Sequence, residues 1–324
     1  MATKPGQLPL VGILTPFPFI PSFEEKFSNQ FQTLKPTDPS IPLHEFHKNQ
    51  CQSVTALVSG IEIAVTKEFL DCLPSLGCIV LTCVGLDNID LDECKKRGIV
   101  IGNAGTVYSE DVADYAIGLL IDVLRRISSG HRLVRSGLWP VNKEHSLGYK
   151  LSGKRIGIVG LGSTGSEVAK RLVAFNCSIS YTSRNKKPLV PFSYYSNVVD
   201  LASHSDVLIL TCELNKQTFH IINKDVMSAL GKKGIIINVG RGALVDEKEM
   251  VRCLVQGELG GAGLDVFENE PHVPKELVEM DNVVLTHHNA VETLESYTDL
   301  HELVISNLEA FFSNKQLLSL VKYH

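Results

Sequence analysis

One short stretch constrains this chain more than any other. The apolar run Arg155-Ile156-Gly157-Ile158-Val159 leads directly into Gly160-Leu161-Gly162-Ser163-Thr164-Gly165, which opens a helical pattern running through Glu167, Val168 and Leu172. A strand that passes into a helix through glycines in the order G-x-G-x-x-G implies a βαβ unit, and therefore a parallel sheet. Gly160 permits the tight turn, Gly162 lets the backbone come close to a bound group, and Gly165 lets helix and strand pack. The helix start, with Ser163 and Thr164 in its first turn, presents unpaired N–H groups and the positive end of its dipole. That combination suits a pyrophosphate, so the segment reads as the dinucleotide-binding loop of a Rossmann-type unit.

The next strand narrows the choice of dinucleotide. Enzymes that use NAD hold the ribose 2′-OH with an acid at the end of this strand. Here the strand Ser178-Ile179-Ser180-Tyr181-Thr182 runs into Ser183-Arg184-Asn185-Lys186-Lys187, and neither Asp nor Glu occurs between Glu167 and Asp200. An acid would repel a 2′-phosphate, whereas Arg184 can grip one and Ser183 can donate to it. The expected cofactor is NADP(H); the alternative is a basic surface loop with no ligand role.

At ~100–200 residues per domain, 324 residues suggest two domains. Before residue 102, apolar runs such as Val11–Leu14, Ala56–Val58 and Ile79–Leu81 alternate with helical stretches at Thr66–Leu73 and Leu91–Lys96. The segment from Pro16 to Pro42 reads as a loop with one helix near Glu24. A long amphipathic helix follows from Ser109 to Arg126, and after Gly153 strands are expected at 155–159, 179–182, 207–210, 235–238, 262–265 and 283–286. Asp246, with Glu249 three residues on, marks a helix start. A last helix from Val291 to Phe312 must bury its apolar face, and the first domain is the simplest partner. The fold class is α/β: two doubly wound parallel-sheet domains, with a Rossmann-type coenzyme domain, 103–289, inserted into a discontinuous substrate domain, 1–102 plus 290–324.

Composition removes several function classes. A net charge of −5 without a basic tract argues against a nucleic-acid partner. The 8 cysteines form no CxxC pair, and several sit in apolar runs, so they read as small buried hydrophobes in a reducing compartment, with no metal site. No apolar run reaches the ~18–20 residues of a membrane span. The N-terminus lacks the basic-then-apolar build of a secretory signal. The expected location is the cytoplasm.

Three further motifs lie where the chain leaves a strand: Asn238-Val239-Gly240-Arg241-Gly242, Gly263-Leu264-Asp265-Val266-Phe267-Glu268-Asn269-Glu270-Pro271, and Asn282-Val283-Val284-Leu285-Thr286-His287-His288-Asn289-Ala290. Ligands in open α/β sheets bind beyond the carboxyl ends of strands, so all three point to one crevice. With Val84-Gly85-Leu86-Asp87, Asp111-Val112-Ala113-Asp114, Leu124-Arg125-Arg126 and Val134-Arg135-Ser136-Gly137, these motifs resemble the D-2-hydroxyacid dehydrogenase family over nearly the whole chain. Its plant hydroxypyruvate/glyoxylate reductases and their hydroxyphenylpyruvate-reducing relatives are the nearest in pattern.

The resemblance implies roles. Arg241 would bind the substrate carboxylate and keto oxygen, with backbone amides near Val84 and Gly85 also holding the carboxylate. His288 would donate the proton, Glu270 would pair with it, and Asp265 would contact the nicotinamide carboxamide. Trp139, the only tryptophan, would line the substrate pocket, contributed by a partner subunit as in some family members; an ordinary half-buried aromatic is the alternative. The implied reaction carries a hydride from NADPH to C2 of a small 2-keto acid such as glyoxylate or hydroxypyruvate, giving a D-2-hydroxy acid. The alternatives are the same chemistry on an aryl pyruvate or a longer sugar-derived 2-keto acid and, in another class, a non-catalytic dinucleotide-sensing binding protein. The implied assembly is a homodimer. This sequence departs from the family in having His287 where Pro usually precedes the histidine, and Ala290 and Val291 in place of Gly-Ser after it.

Overall fold

The computed structural model describes residues 8–14, 21–34, 52–60, 63–141 and 147–322. In chain order these form β1 (Leu10–Ile13), α1 (Pro21–Ser28), β2 (Gln32–Leu34), β3 (Ala56–Ser59), α2 (Lys67–Asp71), β4 (Cys78–Leu81), α3 (Leu91–Arg97) and β5 (Val100–Gly102). There follow α4 (Ser109–Arg125), α5 (Ile127–Arg135), β6 (Arg155–Val159), α6 (Ser163–Ala174), β7 (Ser178–Thr182), β8 (Ser193–Tyr194), α7 (Val198–Ser203) and β9 (Val207–Leu210). The remainder comprises α8 (Lys224–Leu230), β10 (Ile235–Asn238), a 3₁₀ turn (Gly242–Leu244), α9 (Glu247–Val255), β11 (Gly261–Leu264), α10 (Lys275–Val278), β12 (Val283–Leu285) and α11 (Leu294–Phe312).

The chain divides into two compact units, Met1–Val107 with Thr293–His324, and Tyr108–Glu292. The sequence pattern put the two crossings near Asn103 and Ala290. The first unit carries a five-stranded sheet in the order β2-β1-β3-β4-β5, every pair parallel. This is the 2-1-3-4-5 order of doubly wound sheets. Its strands β3 and β4 are buried along their whole length, and α11 packs against this sheet at β4.

The second unit carries a seven-stranded sheet in the order β12-β11-β10-β9-β6-β7-β8, again parallel throughout. The four residues each of β9, β10 and β11 are fully buried, as continuous apolar strands covered on both faces must be. One face packs under Ile117, Leu120 and Leu124 of α4 together with Val168 and Leu172 of α6; the other packs under Leu201, Val226, Met227 and Met250. Strand order reverses at β6, which lies between β9 and β7. The switch point therefore opens beyond the carboxyl ends of β6 and β9.

Local chemistry explains where elements begin and end. Asp246 caps α9, its carboxylate accepting from the Glu249 amide at 3.1 Å, as the spacing predicts. The last helix starts at Leu294, not Val291, because residues 289–292 form a turn closed by Glu292 N–H to Asn289 O at 3.0 Å, and the Thr293 hydroxyl then accepts from Ser296 N. The long helix α4 stops at Arg125; Arg126 adopts a left-handed conformation, φ 55°, and α5 follows at once. The helix near Glu24 is present as α1, whereas residues 16–20 and 35–42 of that stretch lie outside the described residues. Among the described thiols, burial pushes Cys78 up to about 12 and Cys94 and Cys212 up to about 11, so all three remain neutral at physiological pH.

Candidate active site

The Gly-rich turn leaves β6 at the switch point. Gly160 has φ 101°, and a Cβ there would sit 2.7 Å from the Cα of Cys212, the residue two beyond β9. A Cβ at Gly165 would lie 2.1 Å from the Gly160 carbonyl oxygen, so only glycine lets α6 start this close to β6. At Gly162 nothing lies within 4 Å of the same position, and no side chain caps α6. Gly162 and Ser163 are exposed and Thr164 is half-buried, leaving open space at a helix N-terminus. That shape and its donors fit a dinucleotide pyrophosphate.

Beside it, β7 ends at Thr182. The Ser183 hydroxyl donates to Asn185 O at 2.7 Å. Arg184 extends into solvent, with its guanidinium 4.0 Å from the Glu213 carboxylate, which is equally exposed. Glu213 follows Cys212 at the end of β9, so strand order brings an acid to the basic loop from a remote part of the sequence.

The second half of the crevice lies beyond β10, β11 and β12. Asn238 ends β10, buried; its Nδ2 donates to Arg241 O at 2.9 Å and its Oδ1 accepts from Gly240 N at 3.1 Å, which shapes the turn that presents Arg241. Arg241 Nη1 donates to Gly240 O at 2.8 Å. Beyond β11, Glu270 Oε1 accepts from the Phe267 amide at 2.9 Å and Oε2 lies 2.8 Å from His288 Nδ1. Burial would push the Glu270 carboxyl up, but the His288 hydrogen bond, the Phe267 amide, and the charges of His288 and Arg241 hold it below the usual carboxylate range. An ionised Glu270 requires a proton on Nδ1 of His288, which leaves Nε2 as the nitrogen that can release one. The two side chains are 33% and 36% exposed, enough to meet a ligand.

His288 has φ 58°, an uncommon conformation for a non-glycine residue. Asp265, 1% exposed, holds it there. The Asp265 carbonyl accepts from His288 N at 2.8 Å. Its Oδ1 accepts from the Thr286 hydroxyl at 2.7 Å and from Asn289 N at 3.1 Å, and its Oδ2 accepts from Ala290 N at 3.2 Å. A carboxylate has about four acceptor sites, so three bonds leave one for a further donor. Tyr115 of α4 steadies the same turn, its hydroxyl donating to Asn289 Oδ1 at 2.7 Å. His287 is exposed, whereas His288, the residue after it, is half-buried. Phe267, Glu270, Pro271, Val273, Leu285, Thr286, His287 and His288 line a cleft of about 330 Å³.

The second unit therefore holds Arg241, Asp265, Glu270 and His288 around adjacent strand ends. Val84 and Gly85 belong to the first unit, in the bend after β4, where the Val84 carbonyl accepts from Asn103 Nδ2 at 2.9 Å and the Gly85 carbonyl lies 3.5 Å from Cys83 Sγ. Trp139 follows α5 and is 65% exposed. Tyr115, Thr286 and Glu213 were not singled out from the sequence. Thr286 lies within a quoted motif, but nothing local marks Tyr115 or Glu213. Among the described residues no helix is long and apolar enough to cross a membrane.

Comparison with known proteins agrees with this geometry. Residues 117–290 match the model of the D-isomer specific 2-hydroxyacid dehydrogenase, NAD binding domain. A glyoxylate/hydroxypyruvate reductase of Arabidopsis thaliana is 53% identical over 315 residues, covering 97% of this chain and 98% of that protein. A hydroxyphenylpyruvate reductase of Plectranthus scutellarioides is 45% identical over 310 residues, covering 95% and 98%. Among solved structures, an NADPH-dependent glyoxylate/hydroxypyruvate reductase from Sinorhizobium meliloti, in complex with NADP and malonate, superposes with a TM-score of 0.88 at 34% identity, covering 97% of each chain. A family model matching residues 117–290 and a relative 53% identical over 97% of the chain make this chain a member of the D-isomer specific 2-hydroxyacid dehydrogenase family.

Proposed function

We propose that the protein reduces a small 2-keto acid, such as glyoxylate or hydroxypyruvate, to the D-2-hydroxy acid at the expense of NADPH. The observation that carries this reading is the 2.8 Å contact between His288 Nδ1 and an ionised Glu270, with the Arg241 charge acting on the same carboxylate. When bound, the cofactor supplies the hydride that adds to C2. As it adds, negative charge builds on the keto oxygen, and the chain's task is to neutralise it. His288, doubly protonated beside Glu270, delivers its Nε2 proton to that oxygen as general acid. Arg241 holds the substrate carboxylate and the keto oxygen, and backbone amides near Val84 and Gly85 also hold the carboxylate. Gly160, Gly162, Ser163, Thr164 and Gly165 take the pyrophosphate, Asp265 receives the nicotinamide carboxamide at its remaining acceptor site, and Ser183 and Arg184 read the 2′-phosphate. In these terms 103–289 is the dinucleotide-binding domain and 1–102 with 290–324 the substrate-binding domain.

We assign the protein to the cytoplasm, where buried, neutral thiols such as Cys78 and Cys94 stay reduced. We also assign it as a homodimer. Val134, Leu138, Trp139 and Val141 form an exposed apolar strip at and beyond the end of α5, and such strips mark interaction surfaces. In that arrangement Trp139 reaches the partner's substrate pocket. A sedimentation mass of one 35.6 kDa chain at micromolar concentration would contradict the dimer.

The activity test is steady-state oxidation of NADPH with glyoxylate, hydroxypyruvate and hydroxyphenylpyruvate, each repeated with NADH. The expected result is turnover with NADPH and one of the first two acids. An aryl pyruvate is the second reading, favoured by the apolar walls that Phe267, Pro271, Val273 and Leu285 give the cleft beside His288. No turnover with any 2-keto acid would refute both.

A further inference from the structure

Two residues before Glu270, the same turn carries a second carboxylate, and it too holds a histidine. Glu268 Oε1 lies 2.9 Å from His220 Nε2, both side chains mostly buried. The Glu268 amide donates to Glu247 Oε2 at 3.1 Å, and Glu247 is only 8% exposed. His220 is itself fixed: its amide donates to Ala243 O at 2.9 Å, its ring stacks on Phe219 at 3.9 Å, and Ile222 pairs with the strand-like stretch at Val245. The Arg241–Gly242 turn lies flat against the Glu270 turn, since a Cβ on Gly242 would fall 1.9 Å from the Phe267 carbonyl carbon and 2.3 Å from the Glu268 nitrogen. The Phe267 amide, in turn, holds Glu270.

We propose that His220 and Glu268 form a positioning pair, braced by Glu247, that locks the turn of residues 267–270 onto the Arg241–Gly242 turn and so sets the alignment of Glu270 with His288. The inference rests on the reading of His288 and Glu270 as the proton-donating pair. The physical reason lies in geometry. Glu270 leaves the sheet on a turn of four residues, and a hydrogen bond near 2.8 Å weakens steeply when its angle or length changes. The His220 link, the Glu247 link and the bare Gly242 are contacts to that turn from outside it. They come from three places: the segment before α8, the start of α9, and the 3₁₀ turn after β10. The charged and titratable groups around the Glu270–His288 pair are Arg241, Glu247 and His287, which lines the same cleft, with Asp265 bonded to the histidine turn and Glu268, held by His220, two residues before Glu270.

Reduction needs a proton on His288, so activity falls as pH rises through the limb where that proton is lost. Misalignment of Glu270 weakens its hold on the proton and moves the limb to lower pH. Loss of any positive charge carried by His220 would do the opposite, because like charge disfavours the imidazolium. The sign of the shift therefore separates positioning from bare electrostatics.

The experiment measures kcat/KM for keto-acid reduction against pH in the full-length enzyme carrying His220→Asn. Asparagine tolerates the left-handed backbone at this position, φ 49°, but is too short to reach Glu268. We expect the limb to move down by about half a unit, an approximately threefold loss above it, with the NADPH dissociation constant unchanged. His220→Gln, which can place a donor at similar reach, should restore the wild-type limb. Glu268→Asp retains the charge while breaking the contact, and should shift the limb in the same direction if His220→Asn fails to fold. A limb unmoved, or moved upward, in His220→Asn overturns the proposal, as does Glu268→Asp with a wild-type profile. Glu270→Gln serves as the control: if it leaves the limb in place, the reading of the catalytic pair fails; if it moves the limb and His220→Asn does not, only the positioning pair fails.

Discussion

Replacing Asp265 should damage catalysis through His288 without touching His288. The backbone of Asp265 lies in the ladder, its amide donating to Asn238 O at 3.0 Å and its carbonyl accepting from His288 N, so a side-chain substitution leaves those bonds in place. Asp265→Ala removes three acceptor contacts. The Thr286 hydroxyl can rotate toward Leu264 O, 3.5 Å away, but the amides of Asn289 and Ala290 cannot turn. Two stranded amides cost ~1–3 kcal/mol each, hence ~2–6 kcal/mol together. Removing a buried carboxylate offsets part of this and favours the lower half of the range. The left-handed conformation of His288 itself costs ~1–2 kcal/mol. In the native protein the clamp exceeds that strain; without it, the Asp265 carbonyl, Glu270 and Tyr115 contacts remain, but a shift of the turn that pairs the stranded Asn289 and Ala290 amides with water also relieves the strain. His288 should therefore leave its position, and kcat should fall by the ~10²-fold or more that a lost general acid costs. Asp265→Asn keeps one oxygen but turns an amino group toward a backbone N–H, and should fall between the two. The assay is kcat for keto-acid reduction with a melting curve on the same sample. An Asp265→Ala enzyme with kcat within about threefold of wild type and an unchanged Tm would show that the turn holds itself and that the clamp reasoning is wrong.

Three further expectations concern individual groups. His288→Asn, which suits the left-handed backbone, should lower kcat by ~10²–10⁴-fold, whereas His287→Ala should cost far less; the reverse order would place the catalytic histidine one residue earlier. Arg184→Ala should raise KM for NADPH far more than for NADH, at the low end of ~10–150-fold because Arg184 and Glu213 are both solvated, and equal effects on the two cofactors would show that Arg184 does not read the phosphate. Burial pushes the Glu247 carboxyl up, against the Glu268 amide and with the help of the Glu268 and Glu270 charges. Its folded value thus lies above its unfolded one, and stability is lost as pH rises through the folded value. The Tm of Glu247→Gln relative to wild type should therefore rise as pH increases upward from the ordinary glutamate range, and a constant difference would refute the assignment.

The parallel sheet and its dinucleotide turn were legible because local rules and the fold coincide there. The run Arg155–Val159 is too apolar and too short for anything but a buried strand, and Gly160, Gly162 and Gly165 follow at fixed spacing. The pairing of Glu270 with His288 was legible only through resemblance, since 18 residues separate them and nothing local links them. Short elements escaped notice. Ser193–Tyr194 and Gln32–Leu34 are strands only because a neighbour offers an edge to pair with. Asp265 illustrates the harder limit: its motif was visible, but which partners its oxygens take depends on β12 lying beside β11. Glu213 and His220 are remote in sequence from the groups they face, so single-sequence reasoning had no means to connect them.

Because Glu270 leaves the end of one strand and His288 the end of its neighbour, with Asp265 at the foot of the first clamping the second, the proton-donating device is not a loop that could be transplanted. Its smallest movable part is the strand pair from Gly261 to Ala290, including the register that sets Ala262 against Val283. Recombination between relatives should fail between Asp265 and Thr286, and should tolerate crossovers before Gly261 where both parents match at Tyr115, His220 and Glu247. An engineer seeking new substrates would therefore exchange side chains within that cassette and leave its ends alone.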